Sequence, residues 1–452
     1  MNILVEFLTV RKKTGAGEYL RRVFFELCAY IERVGLRNLR LFALYDSTVG
    51  IVYKDLRVET LGEKSIAGFP ITFVDCHGCD VSEIAVRLRI DVFYISCAQY
   101  AGILKGIENV KSRVVVTVHD LYGEEHVENR IQEYLWISSG RYDYRKRFRL
   151  EIMNRLRHLR LTLRLGKRMR DNIRPGNEYA GMPPRKLRPV LELFKNNANT
   201  TILTDSLASL AALVYHYPFV AQKSPEYHDR VLVLYPPSRI YAGEGKEEIE
   251  NDSLRNLVVS GCKYFLVLRS ETITKNVMKT LTAFDHYHSR YNDVRLVVLG
   301  SGKYNSDESR GVVVPGYLSD SDLVHAYRNC HAFIYPSVYE GFGYPPLEAM
   351  RFGKPVLCSN TTSMPEILGD APIYFSPFYN SDIFRAMMSL TDEEYAVRSQ
   401  KSLERFKLVQ ERQERDLRTL IEMILLSRNG EKPSGTITCA CIENRPLKGG
   451  LE

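Results

Sequence analysis

Short runs of β-branched and aromatic residues alternate along the chain with stretches in which apolar residues recur at helical spacing. The predicted strands are Ile3–Leu8, Leu39–Leu44, Ile71–Val74, Asp91–Ile95, Val114–Val118, Thr201–Thr204, Val231–Leu234, Tyr264–Leu268, Val294–Leu299, Gly311–Val314, Ala332–Tyr335, Val356–Ser359 and Ile373–Phe375. The predicted helices are Tyr19–Val34, Val81–Leu88, Lys275–Tyr287, Asp320–Asn329, one beginning at Pro345, and a long one over Glu393–Leu426. This alternation is typical of parallel sheets covered by helices.

A loop-like stretch from Pro236 to Asp252 interrupts the alternation, which then restarts. The pattern therefore predicts an α/β protein with two doubly wound domains in tandem. The length of 452 residues agrees with this, since a single core stops growing near about 250–300 residues. The predicted boundaries are 1–236 for an N-terminal domain with a basic helical insert at 141–188, 237–256 for a linker, 257–400 for a C-terminal domain, 401–428 for a C-terminal helix and 429–452 for an irregular tail.

The composition narrows the class of protein. With 45% hydrophobic and 26% charged residues, the chain is not collagen-like, coiled-coil or wholly disordered. No apolar run reaches the roughly 18–20 residues of a membrane-spanning helix, and the start, MNILVEFL, indicates a strand and not a signal peptide. Nine scattered cysteines favour reduced thiols, and we interpret the pairs Cys76/Cys79 and Cys439/Cys441 as ordinary thiols and not as a zinc site. We expect a cytoplasmic protein.

The net charge of +8 is concentrated in one segment. Residues 141–188 hold 16 basic and 4 acidic residues, a local charge of +12. Apolar residues recur there at helical spacing, at Phe148, Ile152, Leu156, Leu159 and Leu163. Two interpretations of this amphipathic pattern stay open: a solvated basic face on the N-terminal domain, or docking of residues 141–170 on the anionic inner face of a membrane. Nucleic acid is disfavoured as a partner because few aromatic residues are interleaved with the basic ones.

Small and polar residues follow two strands of the N-terminal half, at the carboxyl ends where open parallel sheets bind ligands. Gly15-Ala16-Gly17 opens a helix, so that backbone N–H groups can approach an anion at the positive end of the helix dipole. His119 follows the strand Val114–Val118 and is expected to face the crevice. Each signal is weak alone, because glycine at such turns also serves steric needs and a strand-end histidine is often a loop or capping residue.

The segment from Pro336 to Val356, PSVYEGFGYPPLEAMRFGKPV, is more specific. Glu340 closes a strand, two glycines follow it, and Glu348 falls eight residues later in the expected first turn of the next helix. Carboxylates accept hydrogen bonds from hydroxyl groups, whereas the amides and the helix dipole between them suit an anion. Hydroxyl acceptors that flank an anion site predict a ligand made of a sugar, a diphosphate and a ribose.

These residues resemble the retaining glycosyltransferases of family four, whose E-x7-E motif matches Glu340 and Glu348. The likeness includes GKPVLCSNTTSMPEILGDAPIYFSP and is close over about Tyr264–Pro377. In the N-terminal half, GAGEY, VTVHDL and ILTDSLASL resemble the family's glycine loop, strand-end histidine and strand–serine–helix unit. The resemblance implies the GT-B fold, in which two Rossmann-like domains face a central cleft and a C-terminal helix crosses back to the first domain.

The resemblance also implies roles for individual residues. Glu340 would lie at the hydroxyls of the transferred sugar near the reacting carbon, Glu348 would hold the donor ribose, and His119 would lie near the reacting face of the sugar. Lys275 and Arg269 match the basic pair on the diphosphate, although the spacing around Arg269 departs from the family pattern. The implied donor-binding residues are Gly15, Gly17, Gly316, Tyr317, Leu318, Gly341, Phe342, Gly343, Tyr344 and Glu348.

The implied reaction is the retaining transfer of a sugar from a nucleotide-sugar to a hydroxyl of a glycan or lipid-linked acceptor, in the assembly of surface polysaccharide. No cofactor or divalent metal is expected, because Lys275, Arg269, a helix dipole and glycine amides would neutralise the departing diphosphate. GDP-mannose and UDP-sugars both stay open as donors, and family analogy leans to GDP-mannose. The alternatives are a soluble glycosyltransferase with a small-molecule or protein acceptor, and a non-catalytic scaffold that binds nucleotide or lipid.

Overall fold

The computed structural model describes residues 1–11, 15–48, 64–66, 69–121, 187–221, 230–239, 248–268, 273–300, 306–425 and 437–438. Within these residues the strands form two separate sheets, of nine and six strands. The prediction of two doubly wound α/β domains is confirmed, and every strand predicted from the sequence is present with small shifts at its ends.

The first sheet is built from the N-terminal half of the chain and one strand of the C-terminal tail. Its strands are β1 (Asn2–Glu6), β2 (Arg40–Tyr45), β3 (Lys64–Ile66), β4 (Phe69–Asp75), β5 (Val92–Ile95), β6 (Arg113–Val118), β7 (Thr200–Thr204), β8 (Val231–Val233) and β15 (Ile437–Thr438). Their order is β15-β8-β7-β6-β5-β1-β2-β4-β3, and all neighbours are parallel except β3 on β4 and β15 on β8. The predicted tail is therefore not wholly irregular, because two residues of it pair with the edge strand β8.

The second sheet is parallel throughout. Its strands are β9 (Tyr264–Leu268), β10 (Arg295–Leu299), β11 (Val312–Val313), β12 (Ala332–Tyr335), β13 (Val356–Ser359) and β14 (Ile373–Phe375), in the order β11-β10-β9-β12-β13-β14. The central strands are buried on both faces. Continuous apolar sequence is what such strands require, since helices cover both sides of the sheet.

Twelve α-helices are present in the described part of the chain. They are α1 (Gly15–Val34), α2 (Val81–Arg87), α3 (Ala98–Ala101), α4 (Arg188–Asn196), α5 (Leu207–His216), α6 (Asp252–Val259), α7 (Val277–His288), α8 (Asp320–Asn329), α9 (Tyr344–Arg351), α10 (Met364–Leu368), α11 (Asn380–Met388) and α12 (Asp392–Leu425). Helix α6 begins inside the segment that the sequence suggested as the linker. None of the helices in the described ranges is long and apolar enough to cross a bilayer.

The long helix α12 crosses back from the second sheet to the first, as the resemblance implied. Its last turns place Leu417, Leu420 and Ile421 in the same apolar cluster as α1 and the first sheet. Farther back along α12, Asp416 accepts a hydrogen bond from the backbone N–H of Tyr235 at 2.8 Å. Gln413 Nε2 donates to the Pro236 carbonyl at 2.6 Å. The segment between the two sheets is thus tied to a helix that contacts both domains.

Helix α2 offers a local test of this fold. Asp80 precedes the helix, and its Oδ1 accepts from the Ser82 backbone N–H at 2.9 Å and from Ser82 Oγ at 2.6 Å. We expect Asp80→Ala to lower the free energy of unfolding by about 0.5–2 kcal/mol in urea titrations, since it removes the N-cap. Ser82→Ala keeps the backbone bond and should cost less; an equal loss in both variants would contradict the capping role.

The same cap has a defined pH dependence. The side-chain hydrogen bond from Ser82 is the main cause that lowers the pKa of Asp80 below its ordinary 3.8. A carboxyl whose pKa is lower in the folded state stabilises the fold above its unfolded pKa, and this contribution is lost as the pH falls through the folded pKa. The difference in unfolding free energy between wild type and Asp80→Ala should therefore shrink below about pH 3.8.

Candidate active site at the cleft between the two sheets

The order of strands creates a crevice in the second sheet between β9 and β12. The chain leaves β9 toward β10 on one side, and it leaves β12 toward β13 on the other side. Ligands of open α/β sheets bind outside the carboxyl ends of the strands at such a switch point. The two segments that emerge there carry Lys275, after β9, and Glu340, after β12.

Lys275 and Glu340 form an ion pair at this crevice. Lys275 Nζ lies 2.5 Å from Glu340 Oε1 and donates to the Tyr335 hydroxyl at 2.8 Å. Ser337 Oγ donates to the same carboxylate oxygen at 2.5 Å. The resemblance implies that this lysine lies at the diphosphate and this glutamate at the sugar, and in the structure the two side chains are in direct contact. The lysine lies in the short 3-10 turn Ile273–Lys275, two residues before the helix that was expected to begin with it.

The loop from Glu340 to Gly343 requires both of its glycines. A Cβ on Gly341 would collide with the carbonyl oxygen of His119 in the other domain. Gly343 has a φ of +95°, which favours glycine, and it precedes the first residue of α9. Ser363 Oγ donates to the Glu340 carbonyl at 3.1 Å. These contacts fix the loop tightly between the two domains.

The N-terminal domain also forms a hydrogen bond with this loop. Ser206 Oγ donates to the Gly341 carbonyl at 2.6 Å. In the opposite direction, the Glu366 carboxylate of the second domain accepts from the backbone N–H groups of Leu207 and Ala208 at 2.9 and 3.1 Å. Burial raises the pKa of Glu366, and its hydrogen bonds oppose this increase. The cleft is therefore closed at its centre by reciprocal contacts between α5 and the second domain.

Glu348 is more enclosed than the sequence indicated. Because α9 begins at Tyr344, Glu348 lies in its second turn and not in the first, and its side chain is only 8% exposed. Tyr327 donates its hydroxyl to Glu348 Oε2 at 2.8 Å. Arg239, from the segment between the domains, lies 3.2 Å from Glu348 Oε1. The carboxylate therefore has a fixed orientation beside the cleft.

A cavity of about 180 Å³ adjoins Glu348. It lies between α1, the segment 237–239, α9 and α12. The charged residues on its wall are Arg22, Arg239, Glu348, Arg351 and Glu414. The tyrosine at the start of α9, Tyr344, also borders it and donates its hydroxyl to the Pro237 carbonyl at 3.0 Å.

His119 contacts the Glu340–Gly343 loop, called the motif loop below, from the first domain. It follows β6, and its backbone carbonyl is the atom that a side chain on Gly341 would meet. Its ring packs edge-on against Tyr19 of α1, with 4.8 Å between the ring centroids. Gly15 and Gly17 form the first turn of this same helix, so the glycine loop and the histidine belong to one wall of the cleft. Burial raises the pKa of Tyr19 to about 12.

The remaining predicted site residues lie in the loop before α8 or outside the described residues. Gly316, Tyr317 and Leu318 lie in the loop before α8; Gly316 has a φ of +81°, and Tyr317 is 77% exposed. Tyr327 at the other end of α8 connects this unit to Glu348. Arg269 lies outside the described residues, as do most of the basic insert and the pair Cys439/Cys441. Cys76 is buried and Cys79 is exposed, and both are free thiols.

Three residues of the site were not predicted. Asp205 directly follows β7 and pairs with His119, so its position after a strand was the signal that could have identified it. Arg239 lies in the predicted linker, and Tyr327 lies in a predicted helix whose sequence carries no motif of its own. Their contacts with Glu348 join positions far apart in the chain, which sequence spacing does not reveal.

The chemistry of the arrangement follows from these groups. Two fixed carboxylates can accept hydrogen bonds from hydroxyl groups, and a carboxylate has about four acceptor sites. The N-terminus of α9 lies between them along the chain and the Lys275 ammonium pairs with Glu340, and both groups favour negative charge. The site is therefore suited to a ligand with hydroxyl groups on either side of an anion.

Comparison with known proteins places this site in a family context. Residues 249–405, which include the whole second sheet, match the family model described as Glycosyl transferases group 1. Over 85 residues, 19% of this chain, the sequence is 47% identical to the serotype-specific mannosyltransferase WbdA of Escherichia coli. Over 62 residues, 14% of this chain, it is 55% identical to the O-antigen chain mannosyltransferase B of Escherichia coli. The matched regions span only 10% and 16% of those two proteins.

Solved structures extend the likeness to both domains. Alr3699/HepE of Anabaena, in complex with UDP and glucose, superposes with a TM-score of 0.56 at 14% identity over 94% of this chain and 99% of that chain. At such low identity the likeness concerns the fold. The chain therefore has the two-domain GT-B fold, and residues 249–405 within it are similar to the group 1 glycosyl transferases.

Proposed function

We propose that the protein is a retaining, metal-independent glycosyltransferase that moves a sugar from a nucleotide-sugar donor to a hydroxyl group in glycan assembly. One observation carries the proposal: Lys275 pairs with Glu340 at the switch point of the second sheet, and the loop from Glu340 into α9, which carries Glu348, contacts His119 of the other domain. This combination of an anion site with hydroxyl acceptors fits a nucleoside diphosphate bound to a sugar.

The proposed chemistry depends on charge at the departing diphosphate. Its negative charge grows as the bond to the sugar breaks, so groups that bind this charge more tightly in the transition state accelerate the reaction. Lys275, the N–H groups of Gly341, Phe342 and Gly343, and the α9 dipole are the groups that would provide this stabilisation. For retention, the departing diphosphate would accept the proton of the incoming hydroxyl on the same face of the sugar.

The donor is proposed from the relatives. Both relatives described above are named as mannosyltransferases, and this favours GDP-mannose as the first donor to test. HepE was solved with UDP and glucose, so UDP-sugars are the second choice. The name O-antigen chain mannosyltransferase B supports a growing surface polysaccharide or lipid-linked glycan as the acceptor. Docking of residues 141–170 on an anionic membrane would agree with such an acceptor, but it rests on the sequence alone.

A panel of nucleotide-sugars tests the proposal. A donor at 100 times its dissociation constant should stabilise the protein by about 2.7 kcal/mol in a thermal-shift assay. Release of the nucleotide should then rise on addition of a glycan acceptor, continue in EDTA, and give a product of unchanged anomeric configuration by NMR. Binding of nucleotide without any transfer would instead indicate a non-catalytic scaffold. Loss of activity in EDTA would contradict metal independence.

A further inference from the structure

The structure contains a His–Asp pair on the N-terminal wall of the cleft. His119 follows β6 and Asp205 follows β7, and these strands are parallel neighbours with Val118 opposite Thr204. Their carboxyl ends therefore bring the two side chains to the same edge of the sheet. His119 Nδ1 lies 3.4 Å from Asp205 Oδ2.

Asp205 is held in place on its other side as well. Its side chain is only 6% exposed, and Ser209 Oγ donates to its Oδ1 at 2.8 Å. A buried carboxylate without partners is costly, so Asp205 needs both of these neighbours. The ring of His119 is in turn held between Asp205 and the edge-on ring of Tyr19.

The other ring nitrogen of His119, Nε2, indicates where a ligand can bind. His119 Nε2 is buried and has no hydrogen-bond partner among the residues that the structure describes. Leaving a buried polar atom unsatisfied costs about 1–3 kcal/mol, so such an atom indicates a place where a ligand can bind. The motif loop lies directly across the cleft, with Gly341 against the His119 carbonyl.

We infer that Asp205 is a positioning residue: it holds His119 with its Nδ1–H toward the carboxylate, so that Nε2 keeps its lone pair and accepts a hydrogen bond from a hydroxyl of the donor sugar. In a histidine, the hydrogen bond that one ring nitrogen makes with such a partner commonly determines which nitrogen carries the proton. This inference rests on the proposed function for the identity of the ligand. The pair itself can be tested without any donor.

The competing explanation is that Asp205 only stabilises the start of α5. In that case Ser209, whose hydroxyl donates to Asp205 and whose backbone N–H is capped by Ser206, should matter as much as Asp205 itself. Ser209→Ala removes the hydroxyl that contacts Asp205 and the His119 backbone carbonyl, and it leaves the His119 ring paired with Asp205. It is therefore the matched control for Asp205→Ala.

The first measurement is spectroscopic. Long-range ¹H–¹⁵N spectra of protein labelled at histidine report the tautomer of each ring, and comparison with His119→Gln assigns the signal of His119. We expect the Nδ1–H tautomer in wild type and in Ser209→Ala, and its loss in Asp205→Ala. An Nε2–H tautomer in wild type, or an unchanged signal in Asp205→Ala, would overturn the inference.

The second measurement separates turnover from nucleotide binding. We expect Asp205→Ala to lower kcat about tenfold, because a misoriented ring weakens one hydrogen bond to the reacting sugar. Affinity for the free nucleoside diphosphate, whose proposed contacts with Lys275 and Glu348 lie in the other domain, should stay within about threefold of wild type. Wild-type kcat in Asp205→Ala, or an equal loss in Ser209→Ala, contradicts the positioning role. If wild type transfers no sugar at all, the proposed function fails and the tautomer decides the inference by itself.

Discussion

Lys275→Ala is expected to lower kcat by about 10- to 150-fold, which corresponds to the loss of one charge-assisted hydrogen bond of about 1.5–3 kcal/mol. In the proposed reaction this ammonium group would bind the diphosphate most tightly as its negative charge develops. The loss should therefore appear in kcat and kcat/KM together, with little change in the affinity for the intact donor. Steady-state kinetics with the donor identified by thermal shift would measure it.

The contact of Lys275 with Glu340 affects which residue should replace the lysine. Lys275 packs its ammonium over the Tyr335 ring at 5.1 Å from the centroid, and it neutralises a carboxylate that is only 14% exposed. Removing one partner of an enclosed ion pair leaves the other charge uncompensated, so alanine is expected to lower the melting temperature as well. Lys275→Met keeps an unbranched apolar side chain beside Tyr335, and it should show the same loss of kcat with less effect on packing.

A second lysine, in the helix that follows Lys275, provides the control for loss of positive charge. Lys279 lies in α7, four residues beyond Lys275, and is partly buried. Lys279→Ala should leave kcat unchanged, which would exclude a general effect of reduced positive charge. A kcat within about twofold of wild type in Lys275→Ala would remove this residue from the mechanism.

The fold was predictable because its signals are local. Strands such as Tyr264–Leu268 and Ala332–Tyr335 are short apolar runs buried on both faces, and their predicted bounds match the structure. The helix α8 was also predicted with its observed ends, since Ser319 caps it and a strand follows soon after. The strand β15 was missed because two paired residues are too few to produce a pattern.

The candidate site was predictable only in part. The spacing of Glu340 and Glu348 identified the loop and the start of α9, because both lie within one strand–helix unit. The partners of these carboxylates come from elsewhere: Lys275 follows another strand, and Arg239 comes from the segment between the domains. Spacing along the chain does not reveal such contacts, since they depend on how strands are ordered in a sheet and how the domains meet.

Asp205 illustrates the same limit from the other domain. Its place after a strand is visible in ILTDSLASL, but the likeness to the family there concerns the strand–serine–helix unit and not the aspartate. Only the pairing of β6 with β7 brings it to His119. Likewise, the need for glycine at position 341 arises from a carbonyl of the opposite domain and not from its own backbone conformation.

Glu348→Ala is expected to weaken the binding of the nucleoside diphosphate by about 10- to 150-fold while kcat at saturating donor changes little. The proposed partner of this carboxylate is the ribose, which does not react. Its hydrogen bonds would be equally strong in the ground state and the transition state, and uniform binding of this kind affects affinity and not the chemical step. Isothermal titration with GDP and with UDP measures the effect directly.

The existing contacts of Glu348 do not prevent this role. Tyr327 and Arg239 each take one of the carboxylate oxygens, and a carboxylate offers about four acceptor sites, so two ribose hydroxyls can share it with them. Glu348→Gln keeps the shape of the side chain but loses the charge opposite Arg239. Its affinity for the nucleotide should lie between those of wild type and Glu348→Ala.

Glu414 is the matched control for Glu348, because it lines the same cavity from α12 yet is exposed. Glu414→Ala should leave the affinity for nucleotide unchanged, which would separate a specific contact from the overall charge of the cavity. Since Glu348 is enclosed, its variants must also retain a cooperative thermal transition before their affinities are compared. Wild-type affinity in a folded Glu348→Ala protein would mean that the ribose is held elsewhere. The match to the E-x7-E motif would then no longer locate the donor.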